Sequence, residues 1–321
     1  MTDGRGDLRV SGRPQPSAST RIVAVAWATA KVNRLPTILG YNLAYLLVGV
    51  GVAGGVAVDD LDLLAAYGLG VLLVKSQASI ADAVHDRETD TENPSKSSVA
   101  RSVAVLGRER ALSLLVTELV VGLGLFGLVS TATGEPLYLA VGGALALAGF
   151  WYSYPPRLKE VGVVNHLVTT GADVVTGVVV VPVLLTGTVG RETLVVTTAV
   201  FLYAFGYHLV HQAADAYYDR HARVDTFARR VGTARTVGYA AVATGAAAGL
   251  CLALGYPGAT AVTLGAALWY VSLYREVRRE PLERQSELLA DRFSVGAVAT
   301  LLNAAMAVSV LLGLSDVSTV V

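Results

Sequence analysis

Cysteine is almost absent. The single thiol, Cys251, sits inside an apolar run. A disulfide within the chain and a cysteine-based zinc site are both excluded, and the residue reads as a small buried apolar group. Charge is scarce too: 16% of the 321 residues are charged against 53% hydrophobic, with a mean hydropathy of +0.55. That balance is too apolar for an ordinary soluble domain. The 25 basic and 25 acidic residues cancel, so no global field draws in nucleic acid, and no such partner is expected. No apolar run directly follows a basic N-terminus, which argues against a signal peptide.

What the chain does have is apolar segments. Residues 1–20 are rich in Gly, Pro, Ser and Arg and read as a disordered cytoplasmic tail. Residues 21–321 read as a single membrane-embedded domain. Its first stretch, 21–35, mixes apolar residues with Arg21, Lys31 and Arg34 and reads as an interfacial lead-in. Nine apolar segments follow, near 36–57, 62–86, 109–131, 136–153, 162–187, 192–219, 235–256, 257–275 and 294–317. Each approaches the roughly 20 residues needed to cross a bilayer. The expected fold is therefore all-α, a polytopic membrane bundle of about nine transmembrane helices.

Charge placement supports the count. If every segment crosses, twenty-three of the 25 Lys and Arg residues fall on one side, with Arg191 opposite and Lys75 inside a span. By the positive-inside rule that side is cytoplasmic. The expectation is a multi-pass protein of the plasma membrane with its N-terminus in the cytoplasm and its C-terminus outside.

The ends of two segments carry acids. Asp82, Asp86 and Asp90 recur every four residues at the end of the second, and a four-residue step stacks side chains on one helix face. His211, Asp215 and Asp219 repeat the spacing at the end of the sixth, at a constant offset of 129. Both stripes belong to the cytoplasmic mouth. Acids at such positions are costly and usually functional. Three readings compete: a cation-coupled transporter, solvated helix ends beside basic loops, or a metal-dependent enzyme acting on a diphosphate. Mg2+ prefers oxygen ligands, typically a few carboxylates plus phosphate oxygens. Nearby Lys96 and Arg101 suit a diphosphate or anionic lipid headgroups. His211, one turn before Asp215, suits a base near a leaving group or a packing role.

These motifs resemble the UbiA superfamily of intramembrane prenyltransferases. The family pattern N-D-x-x-D-x-x-x-D is matched by D-A-V-H-D-R-E-T-D-T-E-N-P, with Asp86 and Asp90 on its later acids and Arg87 following. Asp82 stands where the family has Asn, and Ala83 where it often has Asp. The later D-x-x-x-D, followed by Thr and Gly, is matched by Asp215, Asp219, Thr226 and Gly232. The run W-Y-S-Y-P-P-R-L-K fits the family's loop after helix 4 with Tyr154, Arg157 and Lys159.

The resemblance implies a helical bundle around a central cavity open sideways to lipid. It also implies Mg2+-dependent transfer from a prenyl diphosphate to a lipophilic acceptor: a lipid, a carotenoid or a quinone precursor. The implied metal ligands are Asp82, Asp86, Asp90, Asp215 and Asp219. Of these, Asp86, Asp90, Asp215 and Asp219, with Lys159 and Tyr154, are the implied catalytic residues. Asn42, Arg87, Lys96, Arg101, Arg157 and His211 are the expected substrate contacts.

Lys75 is the one basic residue inside a span. Eleven residues before Asp86, it shares the face of the aspartate stripe and lies roughly 16 Å deeper. A lone ammonium there needs a partner. Asp173, as deep in the fifth segment, is the first candidate and Glu118 the alternative.

Overall fold

A computed structural model of the chain describes residues 17–93 and 96–317. Among the described residues there is no strand. The helix α1 (Ala18–Val32) precedes a first apolar rod made of α2 (Leu35–Ile38), a π-helical turn (Leu39–Leu43) and α3 (Ala44–Val52). Next come α4 (Leu61–His85), α5 (Arg87–Glu92), α6 (Ser97–Leu106), α7 (Arg108–Thr133) and α8 (Leu137–Ser153). A rod of α9 (Val163–Val174), a second π turn (Val175–Val179) and α10 (Val180–Thr186) follows. The remainder is α11 (Arg191–His221), α12 (Phe227–Val231), α13 (Thr233–Ala253), α14 (Pro257–Val277), α15 (Leu282–Arg292) and α16 (Val295–Val317).

Each of the nine expected segments coincides with one rod. Seven are long and apolar enough to cross a membrane, two fewer than expected. The helix α8 has only 17 residues, and α14 is diluted by Thr260, Thr263, Trp269, Tyr270 and Tyr274. Of the tail expected over residues 1–20, residues 1–16 lie outside the described residues. Ala18 to Thr20 are helical, and the Ser17 side chain caps α1 by accepting from the Thr20 N–H.

The rods close into a bundle. The helix α13 packs along α11 and α14, α4 packs along α7 and α8, and α16 leans on α3. The largest apolar core holds Tyr45, Tyr203, Tyr207 and Tyr270 between α3, α11, α14 and α16. A second surrounds Tyr67 and Phe126, and a third lies beneath α1 around Ala28, Val32 and Ile80. The outside stays apolar: Val116, Val120, Val121 and Leu128 of α7 are exposed. Lipid covers such a surface favourably.

Small residues set the closest approach. A Cβ on Gly49 would lie 2.1 Å from the carbonyl oxygen of Gly177, and one on Gly177 would lie 2.4 Å from the Tyr45 Cβ. The first rod thus meets the second π turn backbone to backbone. Gly177→Ala is expected to destabilise the protein by about 1–3 kcal/mol or more, because rigid atoms must move apart. Thermal unfolding in detergent measures it, and an unchanged midpoint would show that the two rods can separate freely.

Candidate active site

The first stripe is not one continuous helix. The helix α4 ends at His85, and Asp86 caps it at φ −93°, ψ 10°. Asp90 stands on the separate short α5. The backbone bonds Asp86 N–H to the Asp82 carbonyl and Asp90 N–H to the Asp86 carbonyl, both 2.8 Å, carry the four-residue step across the break. Asp82 and Asp90 are buried, and Asp86 is half-buried. The second stripe lies wholly on α11, with Asp215 buried and Asp219 half-buried.

Two lysines tie the acids together. Lys96 Nζ lies 3.0 Å from Asp215. Burial works against its charge, but Asp215, Asp90 and Asp219 outweigh it and hold the ammonium above its ordinary pKa. Acids of both stripes therefore bear on a single cation. Just before it, Asn93 Nδ2 donates to Asp215 Oδ1 at 3.3 Å. On the other side, Lys159 donates to Asp86 and stands 3.7 Å from Asp82. Asp82 also receives Arg34 Nη2 and the Ser153 hydroxyl, both at 2.7 Å.

Asp90 is poorly compensated. Burial, with the repulsion of Asp82 and Asp86, pushes its carboxyl up to about 6 despite Lys96 and Arg34. Its Oδ2 is buried without a hydrogen-bond partner.

The remaining expected residues divide. His211 Nε2 is 3.9 Å from Asp215. Tyr154 stacks on Phe150 and meets His85 edge-on, while His85 Nδ1 is 2.7 Å from Asp86. The tyrosine thus reaches the acids through a histidine. Arg157 pairs with Glu160 at 2.9 Å instead of with the acids. Asn42 is buried and donates to the Ile38 carbonyl one turn back. Arg87 and Arg101 are exposed, and no ion pair joins either to an aspartate among the described residues.

Sequence reading missed Arg34 and Ser153. Arg34 looked like part of an interfacial lead-in. Its backbone takes a left-handed turn at φ 49° where α1 gives way to α2, and only that turn, far from Asp82 in sequence, brings the guanidinium to the acid. Deeper in the bundle, Lys75 and Asp173 form an ion pair. The alternative acid, Glu118, is engaged by Asn33.

The model of the UbiA prenyltransferase family matches residues 42–295, which is most of the chain and includes both stripes. No curated protein matches. Among solved structures, a UbiA homolog from Archaeoglobus fulgidus bound to GPP and Mg2+ superposes with a TM-score of 0.64 at 16% identity, covering 88% of this chain and 99% of that one. Digeranylgeranylglyceryl phosphate synthase aligns with a TM-score of 0.60 at 12% identity over 89% and 99% of the two chains. An apo UbiA homolog from Aeropyrum pernix K1 gives 0.60 at 17% identity over 86% and 97%. At these identities the structures establish a shared fold, and the family match carries the membership. With two acid stripes joined at one end of an apolar helical bundle and the family pattern running through both, the chain belongs to the UbiA prenyltransferase family and is a membrane prenyltransferase.

Proposed function

We propose that the protein transfers a prenyl group from a prenyl diphosphate to a lipophilic acceptor, a lipid, carotenoid or quinone precursor, within the plasma membrane. Its N-terminus is then cytoplasmic, a reading the one-sided distribution of Arg and Lys supports. The observation that carries the reading is Lys96, which pairs with Asp215 of the second stripe at 3.0 Å and feels the charge of Asp90 of the first.

Mg2+ fits this donor set. Asp82, Asp86, Asp90, Asp215 and Asp219 are hard oxygen donors, and the buried Oδ2 of Asp90 has no hydrogen-bond partner. Among the described residues no three His, Cys, Asp or Glu side chains are gathered at metal-binding distance. The acids face Lys96, Lys159 and Arg34 instead, because crowded carboxylates take whatever positive charge is near. Bound Mg2+ supplies the charge neutralisation a diphosphate needs as its carbon–oxygen bond breaks. The aspartates hold that charge at the mouth. Lys96 and Lys159 exchange a carboxylate partner for a phosphate oxygen when the donor enters. The apolar interior of the bundle keeps water from the allylic cation. The Archaeoglobus fulgidus homologs bound to GPP or DMAPP with Mg2+ support the same donor class.

Purified protein with a labelled prenyl diphosphate tests the reaction. Pyrophosphate release that requires Mg2+ is expected. A chain that moved the solute across a bilayer without consuming it would be a transporter instead. Mass spectrometry of lipid extracts from cells with and without the chain identifies the acceptor.

The lysines give a sharper expectation. Lys96→Ala and Lys159→Ala should each raise the donor's apparent KM about tenfold, the worth of a charge-assisted contact. Arg101→Ala, at an exposed position, should leave it unchanged. The reverse ranking, read from initial rates against donor concentration, would move the diphosphate site to the outer loops.

A further inference from the structure

A cavity of about 580 Å³ lies behind the second stripe, between the end of α11, α12, and the first turns of α13 and α15. Neither acid stripe lines it. Ala216 and Arg220 of α11 do, each one residue after an aspartate of the stripe. One residue is about 100° of helix rotation, so the aspartates and the cavity occupy neighbouring faces of one helix end.

Its wall is basic. Arg220, Arg229 and Arg235 line it, and no acidic side chain does. Arg229 spends one Nη on the Val224 carbonyl. Among the described residues no ion pair neutralises Arg220 or Arg235. Arg230, next in sequence to Arg229, takes Asp225 at 2.7 Å, so the nearby acid is already committed.

The position of Arg235 is the telling one. Cations are favourable near helix C-termini and unfavourable near N-termini. Arg220 obeys this at the end of α11. Arg235 breaks it: it is the third residue of α13, a 21-residue helix with no acid in its first turn and no side-chain cap. The start of α15 reaches the same space through Leu282, but it carries Glu283 in its own first turn. Thr233, also on the wall, is 3% exposed and its hydroxyl has no hydrogen-bond partner. Three guanidinium groups, the uncapped start of α13 and an orphaned hydroxyl around one cavity leave positive charge and donors without an acceptor.

We propose that this cavity is a binding site for a phosphate group, separate from the carboxylate site. The forked guanidinium groups suit phosphate oxygens, and Val231 and Leu282 give the cavity an apolar wall. The phosphate has two possible carriers, an anionic lipid headgroup or a free phosphate from the cytoplasm.

The test uses the full-length, delipidated protein. In one arm, inorganic phosphate is titrated into protein in a neutral detergent and followed by calorimetry. In the other, the protein is placed in phosphatidylcholine nanodiscs doped with phosphatidic acid, and retained lipid is read by native mass spectrometry. Saturable binding in the first arm identifies free phosphate. Retention of phosphatidic acid over phosphatidylcholine identifies the headgroup. In whichever arm binds, Arg235→Gln and Thr233→Val should each weaken binding, the arginine change by about tenfold. Arg235→Lys should restore part of the loss, and Arg110→Gln, an exposed arginine at the start of α7 and outside the cavity, should change nothing. Thr233→Val keeps the shape of its side chain, so it reports on the site even where Arg235→Gln lowers the melting temperature. Absence of binding in both arms, or binding that ignores both substitutions, overturns the proposal.

Discussion

Asp215→Ala is expected to lower turnover by at least about a hundredfold, the scale on which a preorganised electrostatic group acts, and Asp86→Ala should do the same. The two residues sit on different stripes, yet each holds one of the lysines: Asp215 holds Lys96, and Asp86 holds Lys159. Removing Asp215 also takes away the acceptor of the Asn93 amide hydrogen bond. Each change thus deletes a carboxylate and frees an ammonium in one step. Both variants should stay folded, because neither aspartate belongs to an apolar core. Initial rates at saturating donor and Mg2+, with melting temperatures as the control, decide it. Wild-type rates in either variant would remove that stripe from the reaction.

Lys75→Met should destabilise the protein by about 3–5 kcal/mol, the usual consequence of breaking a buried ion pair from one side. Lys75 and Asp173 pair deep between α4 and α9, and Asp173 is 9% exposed. Methionine conserves the length and apolar stem of lysine, so the loss comes from the carboxylate left behind and not from a hole. The double variant Lys75→Met, Asp173→Asn should recover part of the stability, because the stranded charge is gone. Glu118→Gln in the same background should recover nothing, since Glu118 is engaged by Asn33. Unfolding midpoints of the four proteins in one detergent give the cycle. Equal recovery from both second changes would mean that the lysine shares its charge between two acids.

Periodicity and composition by themselves determined the all-helical apolar bundle and the two four-residue stripes, because apolar length and side-chain spacing are local properties of the chain. They also put Lys75 at the depth of Asp173, since a rise of 1.5 Å per residue holds in both helices. They could not choose between Asp173 and Glu118. That depended on which helix turns its acid toward α4, and Asn33 had already engaged the other. The break at Asp86 was not legible either, because the spacing of the acids is the same in a continuous helix and in one interrupted and resumed with its backbone bonds intact.

Loop charges were the least legible of all. Arg87, Lys96, Arg101, Arg157 and Lys159 look alike in sequence as basic residues on the cytoplasmic side. Tertiary structure sent Lys96 and Lys159 to the acids, spent Arg157 on Glu160, left Arg87 and Arg101 exposed, and brought Arg34 to Asp82. The physical reason is reach. A long flexible side chain on a loop finds whichever partner the backbone fold presents, and the sequence encodes the charge but not the direction of the turn that aims it.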